Sequence, residues 1–358
     1  MRSTQLIINL SNIQHNINSI KQYLGNEVEV MPIVKANGYG THLNYCIDIL
    51  NQFNYIGVAL LDEAIILKQN GYKKNIFILY PLSKEELKIA LKENFVINGS
   101  NIFEILEDHE NEIKVHIEIE TGMGRTGLQE QKVEEYISKL KSTPNIVVDG
   151  IFTHLSSSSS DKEFSLNQIN RFESIVDKFN KNGFNPKYKH VCCSGGLKNY
   201  KKYFYNMVRI GLLIYGYYPN DSLKNEIDLK PSMTLKTKIS FLKEINIGDT
   251  IGYNQNFTAK EKTKVATIPF GFADGLIGLE TGLPYVIVKN QQAKIIGICM
   301  DNMMIDVTNI KNINIGDEIY IWDNENLTVD EVGNWCNGIC NYEVMTSITE
   351  RVPRILKK

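Results

Sequence analysis

Between about residue 28 and residue 216, eight short apolar runs alternate with charged segments of helical period, and this pattern constrains the fold more than any other feature of the sequence. The runs lie at Val28–Val34, Tyr55–Ala59, Ile76–Leu79, Phe95–Asn98, Val115–Glu118, Val148–Thr153, His190–Cys193 and Met207–Ile210. Asp62–Asn70 and Lys84–Lys92 read as helices between them. Strands joined through helices pair in parallel, because the crossover returns the chain to the same end of the sheet. Eight such units predict an α/β fold, a (β/α)8 TIM-type barrel. After Tyr217–Pro219 the pattern changes. Runs at Thr234–Leu242, Val265–Ile268, Tyr285–Lys289, Ala293–Ile298 and Glu318–Trp322 are separated by turn signals such as I-G-D and K-N-Q-Q. They predict an all-β C-terminal domain, dividing the chain into 1–225 and 226–358.

Two domains agree with a length of 358 residues, more than one ordinary core supports. The 39 basic and 41 acidic residues are interspersed and leave a net charge of -2, which gives no footprint for nucleic acid or an anionic membrane. A small-molecule partner is expected instead. The six cysteines include the adjacent pair Cys192 and Cys193 and form no C-x-x-C pair, the usage of reduced thiols in a cytoplasmic protein. No apolar run approaches a membrane span, and the stretch within Met1–Leu10 is too short for a signal h-region.

In a βα barrel the reactive groups sit on the C-terminal rim, where loops vary without disturbing the packed interior. The polar residues that close the predicted strands are Lys35, Arg125 in its T-G-M-G-R loop, His154, Ser194 and Arg209, all on that rim. Lys35 ends an apolar run, where partial desolvation lowers an ammonium pKa as an imine-forming lysine requires. Taken alone, it reads better as an exposed lysine just past a strand. C-C-S-G-G and N-M-V-R-I-G add a hydroxyl and small-residue amides at loop-to-helix junctions that suit a phosphate. Singly, each is a common loop.

V-K-A-N-G-Y-G, E-T-G-M-G-R-T-G, G-I-F-T-H, N-M-V-R-I-G, I-P-F-G-F-A-D-G, I-C-M-D and the terminal N-Y-E-V and R-V-P-R resemble the alanine racemases. They stand in that family's order and cover essentially the whole chain. The resemblance implies a homodimeric isomerase that uses pyridoxal 5'-phosphate to interconvert L-alanine and D-alanine, with no metal. It also implies a role for each matching residue. Lys35 would hold the cofactor and act as one base. Tyr39, Ser194, Tyr342 and the backbone amides of Gly211 and Leu212 would hold its phosphate. Arg209 would face the pyridine nitrogen with His154 hydrogen-bonded behind it. Arg125 would lie near the substrate carboxylate, which the Met300 N–H would also meet. Tyr253 would be the second base, reaching the barrel rim of the partner subunit from the β domain.

These roles make chemical sense, because racemisation removes a proton from one face of Cα and returns it on the other, so two acid/base groups must flank that carbon. Lysine and tyrosine both have high reference pKa values, which burial or a neighbouring cation such as Arg125 must lower. An arginine at the ring nitrogen leaves that nitrogen unprotonated and weakens the electron sink, which discourages transamination.

The chain departs from the family at several positions. Many members carry a carbamylated lysine where Glu118 stands, and a carboxylate there would orient Arg125 without carbon dioxide. Phe272, Ser159 and Gly278 stand where the family usually has tyrosine, an acidic residue and arginine, so a charged pair is lost from the access route and tolerance of serine or other substrates larger than alanine is expected. Tyr342 counts against a dedicated serine racemase, where that position is commonly smaller. A fold-related decarboxylase is disfavoured by Arg209 and Tyr253, and a non-catalytic carrier of pyridoxal phosphate by the β domain, which barrel-only carriers lack.

Overall fold

The computed structural model describes residues 2–107, 110–276, 284–336 and 338–357. The chain forms two compact units, one of Gln14–Gly38 and His42–Lys230, the other of Met1–Ile13, Tyr39–Thr41 and Pro231–Lys358. No helix among the described residues is long and apolar enough to cross a membrane.

Strand β1 (Gln5–Asn9) belongs to the second unit. The barrel strands follow: β2 (Glu29–Pro32), β3 (Tyr55–Val58), β4 (Asn75–Ile78), β5 (Val96–Asn98), β6 (Ile113–Glu118), β7 (Ile146–Phe152), β8 (Tyr188–His190) and β9 (Met207–Ile210). From β3 to β8 they pair in sequence order, all parallel, while β2 pairs with β9. Single bridges from Ile33 to Gly57 and from Cys193 to Arg209 join the two sets and close the circle. Both faces of such strands are covered, so they read as nearly continuous apolar runs; every residue of β3 and β9 is buried. Met31, Tyr55, Phe77, Phe152 and Met207 pack together inside.

The helix over Lys84–Lys92 has the predicted bounds because its ends are written locally. Ser83 Oγ accepts from Glu86 N at 3.3 Å and Glu86 returns a carboxylate oxygen to Ser83 N at 2.8 Å, a capping box. The run His190–Cys193 is instead a correction. The strand covers Tyr188–His190, and Val191 and Cys192, buried beyond its end, lead to the single bridge between Cys193 and Arg209.

The second unit is β-rich. It contains β10 (Met233–Lys238), β11 (Phe241–Ile245), β12 (Thr250–Ile251), β13 (Phe257–Thr258), β14 (Thr263–Ile268), β15 (Tyr285–Val288), β16 (Gln291–Ile298), β17 (Met303–Asp306), β18 (Glu318–Trp322) and β19 (Arg354–Lys357). All but β12 and β13 join β1 in one sheet, ordered β11-β14-β17-β16-β15-β18-β10-β1-β19. The predicted strand Thr234–Leu242 is two strands, because β10 pairs with β18 and β11 with β14, elsewhere in the sheet. Two helices, Val329–Trp335 and Asn341–Ser347, add to the expected all-β pattern. The first is announced by Thr328 and Glu331, another capping box. Strand β1, with Leu6 and Ile8 fully buried, pairs with β10 and β19 and so ties the start of the sequence to its end.

Candidate active site

Strand β2 continues past Pro32: Ile33 N donates to Ile210 O at 2.7 Å and Val34 N to Gly57 O at 2.9 Å, which delivers Lys35 to the C-terminal rim. The backbone then changes hand. Ala36, Asn37, Gly38 and Tyr39 have φ of 53°, 54°, 68° and 55°. Left-handed conformation costs an ordinary L residue about 1–2 kcal/mol, so this run needs support from outside. Glu63 provides it, accepting from Asn37 N at 3.2 Å with one carboxylate oxygen and from Ala59 N at 2.9 Å and Leu60 N at 3.2 Å with the other. The half-buried Lys35 ammonium has neither hydrogen bond nor ion pair among the described residues. Burial first, then the Arg125 charge, lower its pKa from the ordinary lysine value, against an opposing pull from Glu63.

Four strand positions further round, β6 ends at Glu118, which is 2% exposed. One carboxylate oxygen accepts from Arg125 Nη2 at 3.1 Å; the other accepts from Thr126 Oγ1 at 2.6 Å and Asn98 Nδ2 at 3.0 Å. The T-G-M-G-R loop that carries Arg125 is pinned at its base, where Leu128 N donates to Glu118 O at 2.7 Å. Within it Glu120 accepts from Gly122 N at 2.5 Å and Gly124 N at 2.9 Å. Gly122, at φ 145°, sits against the Phe164 ring where a Cβ would collide. The anion beside Arg125 is therefore built from the chain's own carboxylate.

Arg209 lies within β9, not after it, and is buried. Its Nη1 donates to His190 Nδ1 at 2.9 Å and His190 O at 2.8 Å; its Nη2 donates to Thr153 O at 2.8 Å, Val191 O at 3.1 Å and His154 Nδ1 at 3.3 Å. Guanidinium only donates, so His154 accepts at Nδ1 and carries its proton on Nε2. Burial, then the charges of Arg209, Arg125 and Lys35, push His154 down to about 3, so its ring is neutral near pH 7. Beyond β8, Ser194 opens the turn Ser194–Gly196, and its Oγ accepts from Gly211 N at 3.3 Å. Leu212 opens a second turn, Leu212–Tyr215, where the first amide has no acceptor within the turn.

The comparisons with known proteins agree along the whole chain. The model of the alanine racemase N-terminal domain matches residues 8–219, and that of the C-terminal domain residues 232–356. The chain belongs to the alanine racemase family. This racemase is 35% identical to alanine racemase 2 of Caldanaerobacter subterraneus subsp. tengcongensis, over 99% of the chain and 95% of that protein. It is also 35% identical to the alanine racemase of Clostridium perfringens strain ATCC 13124, over 98% of the chain and 94% of that protein. Among solved structures, the alanine racemase of Clostridium difficile 630 superposes with a TM-score of 0.93 at 31% identity, covering 100% of the chain and 96% of that structure. It is an amino-acid racemase, an isomerase.

The racemase gathers Lys35, Glu118, Arg125, His154, Ser194, Arg209, Gly211 and Leu212 in the barrel unit, while Tyr39, Tyr253, Met300 and Tyr342 belong to the β-rich unit. Tyr253 follows Gly252 in a short turn and is 65% exposed; Met300 is 53% and Tyr342 48% exposed. A hydrogen bond with the Cys340 thiol, then partial burial, push the Tyr342 phenol up to about 12, so it is a neutral donor. Phe272 and Ser159 are exposed, and Gly278 lies outside the described residues. Sequence reasoning missed Glu63, Asn98 and Thr126. Asn98 ends a predicted strand and was open to the same rim rule that found His154; nothing local marks Glu63 as the support of the Lys35 turn.

Proposed function

We propose that this racemase interconverts the enantiomers of alanine on pyridoxal 5'-phosphate held at the barrel rim, with Lys35 and Tyr253 of the partner subunit as the two opposed bases. The observation that carries this reading is the donor set of Arg209. Its two terminal nitrogens are committed to protein acceptors, whereas Nε–H meets none among the described residues. A buried guanidinium with one unused donor fits a pyridine nitrogen that stays unprotonated. The Lys35 amine, without a hydrogen-bond or ion-pair partner among the described residues and lowered by burial, fits the aldehyde. Ser194 Oγ and the amides at the two turns suit the phosphate.

The cofactor, when bound, supplies the electron sink that makes the Cα proton acidic. The chain does the rest. Lys35 exchanges a proton at one face of Cα and Tyr253 of the partner at the other. Arg125, braced by Glu118, orients the substrate carboxylate with the Met300 N–H, while Tyr39 and Tyr342 complete the phosphate site. His154 directs its Nε2–H outward from Arg209. The homodimer is supported by exposure: Tyr253, Met300 and Tyr342 are large side chains left uncovered on a single chain. Six cysteines that form no disulfide suit the cytoplasm, where the product would supply D-alanine. Loss of the charged pair at the access route extends the reading to serine as a slower substrate.

Incubation with L-alanine or L-serine in heavy water, followed by measurement of deuterium at Cα, tests it. Label should enter both enantiomers of alanine, and K35A should abolish this. Carbon dioxide release, or stoichiometric cofactor without any exchange, would replace the reading with a decarboxylase or a carrier.

A further inference from the structure

Arg209 is buried, yet no carboxylate lies within ion-pair distance of it among the described residues. A buried cation without a paired carboxylate is costly; the Glu118 charge acts on it at longer range, and a second carboxylate is linked to it through the imidazoles. The hydrogen bonds show the route. Since Arg209 donates to His190 Nδ1, the His190 proton sits on Nε2, which lies 2.8 Å from His116 Nδ1. His116 therefore accepts there and carries its own proton on Nε2, which faces Asp149 Oδ2 at 3.5 Å. The Tyr55 hydroxyl donates to the same Asp149 oxygen. The donors run from the guanidinium through both imidazoles, and the last step, from His116 Nε2 to Asp149, is a charge contact and not a hydrogen bond.

The barrel interior is shaped to hold this row. The His190 ring stacks on Phe152 at 4.8 Å with an interplanar angle of 4°, and the Arg209 guanidinium lies 5.2 Å from the same Phe152 ring. His116 packs 4.8 Å from Phe77, and a Cβ at Gly150 would overlap the imidazole, so glycine is what lets His116 approach β7. Burial keeps both imidazoles below the ordinary histidine pKa and hence neutral near pH 7. Burial also opposes the Asp149 charge, but the close His116 imidazole and the Tyr55 hydrogen bond outweigh it and hold that carboxyl below its usual value.

We infer that Asp149 is a positioning residue for Arg209, acting through the aligned imidazoles of His116 and His190. Polarised by the carboxylate, His190 is a stronger acceptor, which fixes the Arg209 plane and the direction of its free Nε–H. The inference rests on the cofactor reading only in what that Nε–H meets; the row itself is a property of the chain.

The chain has six histidines, few enough to assign imidazole resonances by substitution in protein labelled with 15N-histidine. In cofactor-free protein His116 and His190 should both be Nε2–H tautomers. Asp149→Asn keeps an acceptor oxygen but removes the charge, and should move the His190 Nε2–H proton upfield. Tyr55→Phe removes a competing donor, strengthens the carboxylate as an acceptor and should move the same proton downfield. In the loaded protein Asp149→Asn should weaken pyridoxal phosphate binding roughly three- to tenfold, the range set by one modest hydrogen bond, and Tyr55→Phe should not. Opposite shifts are the signature, since a purely structural role moves both variants alike. A His190 Nδ1–H tautomer overturns the inference, as do shifts of one sign or unchanged cofactor affinity in a folded Asp149→Asn. Should Asp149→Asn not fold, an unmoved or upfield proton in Tyr55→Phe overturns it equally. Wild-type protein that binds no pyridoxal phosphate overturns the cofactor reading instead, and the resonances of the free chain still decide the role of Asp149.

Discussion

Glu118 and Arg125 form an ion pair at 3.1 Å in which the carboxylate is buried and the guanidinium is one-third exposed. Thr126 and Asn98 occupy the other carboxylate oxygen, so the anion is fixed before any ligand arrives.

Activity should therefore be the same in bicarbonate-free and bicarbonate-supplemented assays. Glu118→Gln should raise KM for alanine and lower kcat/KM about tenfold, the low end for a hydrogen bond to a charged group because solvent screens Arg125. A fall in wild-type rate on depletion of bicarbonate defeats the reading of Glu118.

Two bases on different subunits make a specific pattern in mixed dimers. Lys35→Ala and Tyr253→Phe homodimers should both be nearly inactive, while refolding an equal mixture should restore about one quarter of wild-type sites, because half the dimers carry one intact composite site. No recovery in a mixture shown to exchange subunits counts against the shared site. Tyr253→Phe alone should still exchange the Cα proton of one enantiomer, and equal exchange of both would contradict opposed bases.

The buried His116 and His190 and the half-buried His154 give stability a pH signature. The folded-state pKa values of His116, His154 and His190 are all lowered, that of His154 to about 3, whereas the unfolded chain has ordinary imidazoles near 6.5. Below about pH 6.5 the unfolded chain binds more protons than the native one, so stability is fully present above that pH and lost as pH falls through it. His154 contributes a slope of about 1.4 kcal/mol per pH unit between its unfolded and folded values. Urea unfolding between pH 5 and 7 measures this, and His154→Gln should remove about one proton from the slope; an unchanged slope means His154 is not neutral when folded.

Glu63→Ala takes the acceptor from three backbone amides, one of them in the left-handed turn after Lys35. It should destabilise the protein by about 2 kcal/mol, as loss of a capping carboxylate does, and weaken cofactor loading. Denaturant midpoints and titration with pyridoxal phosphate check the two effects. Wild-type values in both would show that the turn holds itself.

Much of this was written in local order. The apolar runs marked the barrel strands because both of their faces are covered, and Ser83 with Glu86 fixed a helix start, since a capping box spans only three residues. Lys35 and His154 were found because each stands just past a strand, and Arg125 because it closes the loop after one, all in motifs of recognisable spacing. The run His190–Cys193 set the strand too late, because Val191 and Cys192 stay buried past its end while the polar Lys189 lies within it.

Glu63, and the row from Arg209 to Asp149, were decided elsewhere. In the sequence His116 and His190 are two isolated histidines in apolar surroundings, 74 residues apart. They meet because β6, β7 and β8 pair in a register that sets His116 against Gly150 and His190 against Phe152. Periodicity along a chain determines which residues face inward and where each strand ends. Which charge answers which depends on strand register and on closure of the barrel, and those are settled by all the strands together.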